Sequence, residues 1–414
     1  MKNQDNLSAV REIVNNERRM LKHNPRFVES TFRKKIHEII KDNNLEGIHP
    51  EVIVVTSENM WTNVKQFKEK SYIIIDTTYL APLLRLNNLY YILNNEDIHI
   101  EILLLEIIAK TFIADGDLFL AAALCKYHHT IYNEHALILA SKNTSAKIQE
   151  DITITFVVCH ELAHVLYKSK IDTDREKADD DILAQLNYLY SLYESNDSNT
   201  SQEHYGDFLL NVAKSIFSDI SDLEKNTKDR ILEIYMDNHK IIYESINNSK
   251  LHDDLSFIEE CFCDRTAVDF MLQHTNPQNK NGMTAILIYT LNTIYNIQNL
   301  THLKVSSSIY HKKDHKKYSS LHLKTGIRKL MIEKYILEKI NKIYPEETES
   351  FTSKVSYLSA VQAAQSDTTT NFILYEAHTY CDEILNNRKE NTSTYDAQSL
   401  YDIFEAYRLN SSII

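Results

Sequence analysis

Along most of this chain the apolar positions recur at steps of three and four, the spacing of a helical face rather than of a strand. Two amphipathic helices are expected within residues 7–44, broken near Asn24-Pro25. The pattern then changes. Glu51-Val52-Ile53-Val54-Val55-Thr56 and residues 71–76 are short β-branched runs that predict strands, with a third expected around Ala136–Ala140. Helical spacing returns over residues 80–130 and again over 284–410, where four or five helices are expected. Only 5 Gly and 5 Pro in 414 residues leave little material for the tight turns of an all-β fold. The expected class is mostly α with a small β-sheet, an α+β arrangement.

Breaks in this pattern divide the chain. Residues 1–50 form an N-terminal helical segment, 51–275 a central region and 276–414 a C-terminal helical region, with Asn276-Pro277-Gln278-Asn279-Lys280-Asn281-Gly282 as the last boundary. The central region is expected to carry helical insertions at about 80–130 and 170–250. Within the second, Asp172–Asp181 is an acidic run of the kind that usually faces water. Glu194–Ser201 is the expected flexible loop. His311-Lys312-Lys313-Asp314-His315-Lys316-Lys317 holds two His four apart but no apolar face, and reads as a solvated basic loop.

One helix carries chemistry. His160-Glu161-Leu162-Ala163-His164 lies in an apolar run, and residues four apart share a helical face, so both imidazoles can bind one metal ion. Glu161 is left beside an open coordination position, as a zinc peptidase requires of its general base. Ile152, Phe156, Cys159, Ala163 and Leu166 form one apolar stripe, with Thr153, Val157, His160, His164 and Tyr167 beside it. The expected helix therefore turns one face to a core and holds both His on its flank.

A catalytic zinc usually takes a third protein ligand. The best candidate segment is Ser256-Phe257-Ile258-Glu259-Glu260-Cys261-Phe262-Cys263-Asp264, where Glu260 and Asp264 again share a face. Glu260 can bind the metal while Asp264 accepts the N–H of a ligating His. Glu259 competes for the ligand role, but Ser256-x-x-Glu259 reads as a capping box and gives it a structural task.

HELAH followed by E-x-x-C-D resembles the H-E-x-x-H…E-x-x-A-D pattern of gluzincin metallopeptidases, especially those of the HtpX and CAAX-prenyl-protease type. The resemblance implies a zincin-like catalytic core within 51–275, elaborated by the helical insertions. It also implies His160, His164 and Glu260 as zinc ligands, Glu161 as general base and Asp264 as the group orienting a ligand His. Cys263 stands where that group commonly has Ala. The same proteins often carry H-P-P-x-x-x-R near the bound substrate. His322 and Arg328 keep its spacing without the prolines, which implies a transition-state contact from residues 320–330. Glu58-Asn59-Met60-Trp61, followed by Ser71–Ile75, echoes the family's substrate-side strand, although Trp61, the only tryptophan, is expected in the core. An edge strand there would pair with an extended peptide. Weaker likeness, in H-E-x-x-H and general layout, is to the Lit-type phage-exclusion peptidases.

Charge narrows the partners. A formal charge of −13 argues against nucleic-acid binding. Cys125, Cys159, Cys261, Cys263 and Cys381 form no spaced disulfide framework, which points to a reducing compartment. No apolar signal-peptide core stands at the polar N-terminus, and His99, Glu101, Glu106 and Lys110 interrupt the most apolar window, Ile98–Ala114. A cytoplasmic protein without a membrane span is expected. The expected activity is zinc-dependent endopeptidase cleavage of a protein or peptide, with Glu161 moving the proton and His322 or Arg328 meeting the oxyanion. A regulated protease of stress or phage defence fits that reading. Two alternatives use the same residues: an inactive binding or scaffold protein with a structural metal, and a metal-dependent hydrolase of other bonds.

Overall fold

Residues 52–55 and 72–75 are apolar throughout, and strands of that kind are stable where both faces are covered. The computed structural model describes residues 2–22, 27–89, 97–134, 146–170, 172–194, 251–275, 280–312, 315–347, 377, 379–381, 383 and 396–410. In it, β1 (Glu51–Val55) and β3 (Lys70–Asp76) lie parallel, with Val52 opposite Ile73 and Val54 opposite Ile75. β2 (Asn63–Phe67) pairs antiparallel with the other side of β3, giving the order β1-β3-β2. Val52, Val54, Ile73 and Ile75 enter the main core, whereas Ile53, Val55, Tyr72 and Ile74 pack with Val10 and Val14. Those valines belong to α1 (Lys2–Glu17), which closes the outer face. The sequence pattern did not anticipate β2. Its half-exposed Asn-Val-Lys-Gln-Phe run is that of an edge strand and has no β-branched stretch. The third strand expected around Ala136–Ala140 lies outside the described residues.

The chain from β1 to β2 must cross the end of β3, and a buried carboxylate fixes the crossing. Asp76 accepts hydrogen bonds from Ser57 N at 3.2 Å, Trp61 N at 3.3 Å, Thr78 N at 3.1 Å and Thr78 Oγ1 at 2.6 Å, and from Ser57 Oγ. Arg18 pairs with it at 3.0 Å, and also donates to Asn63 Oδ1 at 2.9 Å and to the Trp61 carbonyl. Within this crossing Met60 holds a φ of +51°, a left-handed conformation that costs a non-glycine residue about 1–2 kcal/mol.

The remaining described helices are α2 (Glu29–Asp42), α3 (Thr77–Leu89), α4 (Asp97–Asp115), α5 (Leu118–Glu134), α6 (Ala146–Ser169), α7 (Asp172–Glu194), α8 (Leu255–Thr275), α9 (Lys280–Lys312), α10 (His315–Ile343) and α11 (Ala397–Asn410). The fold is mostly helical with one small mixed sheet, as the periodicity predicts. α6 is its axis, packed most closely on α8 and also against α2, α3, α9, β2 and β3. Ile152, Phe156, Cys159 and Ala163 are buried as expected, but so are Val158, Leu162 and Val165. The helix is thus enclosed almost all round rather than on one flank, which is why it is apolar on nearly every side.

The acidic run Asp172–Asp181 begins α7, and from Thr173 on its residues are exposed or half-buried. Other expectations are revised. The basic segment His311–Lys317 is helical on both sides of Lys313-Asp314, which lies outside the described residues. The turn expected through Gly282 gives way to helix at Lys280, and residues 276–279 fall outside the description. So do the break at Asn24-Pro25, residues 195–250 with the expected flexible loop, and most of 348–395. All five cysteines are free and buried. Among the described residues, no helix is long and apolar enough to cross a membrane.

Candidate metal centre

Three helices bring the site together. α6 carries His160, Glu161 and His164, α8 carries Glu259, Glu260 and Asp264, and α10 carries Arg328. The one-turn spacing on α6 stacks the two imidazoles, with ring centroids 4.9 Å apart and planes at 80°. Their Nε2 atoms face each other at 3.2 Å. The Glu260 carboxylate closes the triangle, with Oε2 3.5 Å from His160 Nε2 and Oε1 3.4 Å from His164 Nε2. Among the described residues, these three form the only group of His, Cys, Asp and Glu close enough to share a metal ion.

A carboxylate stands behind each imidazole. His164 Nδ1 lies 2.6 Å from Glu259 Oε1. His160 Nδ1 lies 3.1 Å from Asp264 Oδ1, an ion-pair contact whose angle is poor for a hydrogen bond. Asp264 thus stands behind a ligand imidazole, without the N–H hydrogen bond the sequence reading gave it. Glu259 departs from that reading altogether. Asp254 caps α8, accepting the Phe257 N–H at 3.1 Å, and Glu259 is released to hold His164. Ser256 lies past the cap position, so the expected capping box does not form.

Arg328 completes the second layer. Its Nε and Nη2 donate to the two oxygens of Asp264 at 2.8 and 2.9 Å, and its Nη1 lies 2.8 Å from Glu260 Oε2. The fork is thus engaged by carboxylates, where the sequence reading had placed it against substrate. His322 lies on α10, six residues before Arg328, and its side chain is outside the described residues.

The electrostatics favour a cation. With both Nδ1 atoms facing carboxylates, the tautomers these contacts assign turn the Nε2 lone pairs inward. Two lone pairs and a carboxylate converging at 3.2–3.5 Å repel unless positive charge sits among them. Without a metal ion a proton meets the same need: burial by itself lowers the His160 pKa, yet the Asp264 and Glu260 carboxylates outweigh it and raise it to about 10, so a bound metal ion would take that proton's place on Nε2. Glu260 is held well below the carboxylate range; burial opposes this, and Arg328 with the two imidazoles prevails. The spacing also fits zinc: bonds of about 2.0–2.1 Å at tetrahedral angles set neighbouring donors about 3.3 Å apart. The donor set fits the metal that the motif implies.

Glu161 is different in kind. Its side chain is buried, and its Oε2 has no hydrogen-bond partner. Burial raises its pKa, against the pull of His164 and His160. A buried, unpaired carboxylate oxygen is costly unless a polar group meets it. The fold also brings in one tyrosine that periodicity could not single out. Tyr79, in the first turn of α3, is raised in pKa by burial and by the charge of Glu161, Glu260 and Asp264, with Arg328 opposing. Its sequence neighbours carry no motif, so only the packing of α3 on α6 marks it.

No protein-family model, curated protein or solved structure matches this chain. The class defined by the fold and site is therefore a mostly helical protein with a small mixed sheet and a two-His, one-Glu group suited to a metal ion.

Proposed function

We propose that the chain is a zinc-dependent metallopeptidase with a zincin-like core, hydrolysing peptide bonds of a protein or peptide substrate. The observation that carries this reading is the convergence of His160 Nε2, His164 Nε2 and the Glu260 carboxylate beside the unpartnered, buried Oε2 of Glu161. Zinc bound there supplies Lewis acidity to a water and a carbonyl oxygen, bringing the water's pKa to about 7.

The remaining work falls to the chain's own residues. Glu161 Oε2 accepts the proton of the attacking water and passes it to the leaving amine, and its raised pKa suits both transfers. Glu259 and Asp264 fix the two imidazoles with Nε2 inward. Arg328 offsets the charge of Asp264 and Glu260, and so positions the ligands rather than touching substrate. Tyr79, in the first turn of the α3 helix that packs on α6, is the donor we assign to the developing oxyanion.

A peptide substrate is favoured by β2. This edge strand packs on α6, and its two-residue turn closes at Phe67 and Lys70. Antiparallel alternation then turns the backbone groups of Val64 and Gln66 away from β3, to an edge that no other strand covers among the described residues and where an extended peptide can pair.

The test is bound metal per chain, by plasma mass spectrometry, together with cleavage of unstructured peptides. Near-stoichiometric zinc is expected in the wild type and in Glu161→Gln, and loss in His160→Ala and Glu260→Ala. Cleavage should vanish in all three variants. Zinc retained in Glu260→Ala, or full cleavage by Glu161→Gln, sinks the proposal. Zinc in a wild type that cleaves nothing returns the protein to the structural-metal reading.

A further inference from the structure

Trp61 is the only tryptophan of the chain and is 59% exposed, although large aromatic residues of its kind are expected in the core. Its exposure is not that of a loose loop. The Trp61 N–H donates to Asp76 Oδ2 at 3.3 Å, and its carbonyl accepts from the Arg18 guanidinium. Asp76 is wholly buried and Arg18 nearly so, so both backbone groups of Trp61 are fixed to an ion pair inside the protein. The residue before it, Met60, is buried in the left-handed conformation, which turns the chain so that Met60 points in and Trp61 out. Strain of this kind persists where the surroundings over-determine it, and it collects at functional sites.

The place matters as much as the pose. Trp61 stands two residues before β2, the edge strand that packs on the helix of His160 and His164. Arg18, which grips its carbonyl, lies within the field of Glu161. An exposed indole on a backbone fixed at both its N–H and its carbonyl presents apolar area at a reduced cost in ordering, a property that suits tryptophan to dominant contact positions.

We propose that Trp61 is a specificity-determining residue: its indole receives an apolar side chain of the extended peptide segment that lies along β2. This rests on the metallopeptidase reading and adds the substrate class to it. An apolar side chain is favoured over a basic one because the exposed indole offers apolar area, and the Arg18–Asp76 pair beneath it is internally neutralised and leaves no carboxylate for a cation. Trp61 takes no part in the bond-making steps.

The test uses the full-length, zinc-loaded chain and a synthetic library of unstructured peptides of randomised sequence, with cuts mapped by mass spectrometry. The wild type is expected to enrich an apolar residue at one fixed position from the cut. Trp61→Ala should lower that enrichment about tenfold or more while still cutting, and Trp61→Phe should keep it. Equal zinc content in all three shows that the site is intact. An unchanged cut profile in Trp61→Ala overturns the role of Trp61 and leaves the peptidase reading standing. Enrichment of Lys or Arg at the affected position overturns the apolar assignment. A wild type that cuts no library peptide overturns the peptidase reading itself, and this inference with it. Independently, Glu161→Gln carrying zinc should show a blue shift of its single-tryptophan emission on binding library peptides rich in Leu and Phe. No shift with peptide bound overturns the contact.

Discussion

Glu259 Oε1 lies 2.6 Å from His164 Nδ1, and this contact decides which nitrogen of His164 faces the metal position. Lys168 lies 3.5 Å from the same oxygen, and Glu259 is held below the usual carboxylate range; burial opposes this, and His164 and Lys168 outweigh it. Glu259→Gln keeps the shape but weakens the acceptor. Its zinc affinity is expected to fall roughly 10–100-fold, as for other partners behind a ligand His. Competition with a chromophoric chelator measures it, with Ser256→Ala as the comparison that should leave affinity unchanged. Equal affinities in the two variants would show that Glu259 does not hold His164 for the metal.

Arg328 serves a buried carboxylate and a half-buried one at once. Arg328→Met leaves Asp264, 4% exposed, without its bidentate partner, and is expected to destabilise the metal-free protein by about 3–5 kcal/mol. Arg328→Lys should recover only part, because an ammonium cannot fill the fork on Asp264 and reach Glu260 together. Urea unfolding measures both. A loss below about 1 kcal/mol in the Met variant would show that these contacts are not formed in solution.

Tyr79→Phe removes one oxygen from the site and no ligand. On the metallopeptidase reading it should lower kcat by roughly 10²–10³-fold with little change in KM, the signature of a donor that acts on the transition state. Zinc content and thermal midpoint should match the wild type. A kcat within a factor of about two of wild type removes Tyr79 from the mechanism.

Away from the metal, α3, α4 and α5 enclose a charged cluster. Glu106 pairs with Lys110 at 2.6 Å and with Arg85, and His128 is buried against them. Burial lowers the His128 pKa from 6.5 to about 4, with Arg85 and Lys110 adding to the effect and Glu106 opposing it. The folded state therefore binds fewer protons than the unfolded state between these two values. Stability contributed by neutral His128 is full above pH 6.5 and is lost as pH falls toward 4, up to about 3 kcal/mol. Thermal midpoints from pH 7 to pH 4 should fall more steeply for the wild type than for His128→Gln. Parallel curves would mean that His128 titrates normally in the fold.

The legible parts of this protein share one property: their chemistry is carried by near neighbours in sequence. The Glu51–Val55 and Lys70–Asp76 strands announced themselves through unbroken β-branched runs, and His160, Glu161 and His164 through one-turn spacing. Glu260 and Asp264 repeat that spacing on a second helix. The Asn63–Phe67 strand left no such trace, because an edge strand is polar on its open side. Glu259 was misread because a Ser three residues earlier imitates a capping box, when the cap is Asp254.

By itself, the sequence determined the helical class, the two main strands and the residue types able to hold a metal, because backbone periodicity and one-turn spacing are local properties. Only the tertiary structure decided how those residues are used. It set Glu259 behind His164, turned the Arg328 fork onto Asp264 and Glu260, drew Tyr79 into the field of Glu161, and left Trp61 outside on a backbone fixed by Arg18 and Asp76. Each of these joins segments far apart in the chain. Their partnership follows from which helix faces are buried together, and no repeat within a single segment can encode it.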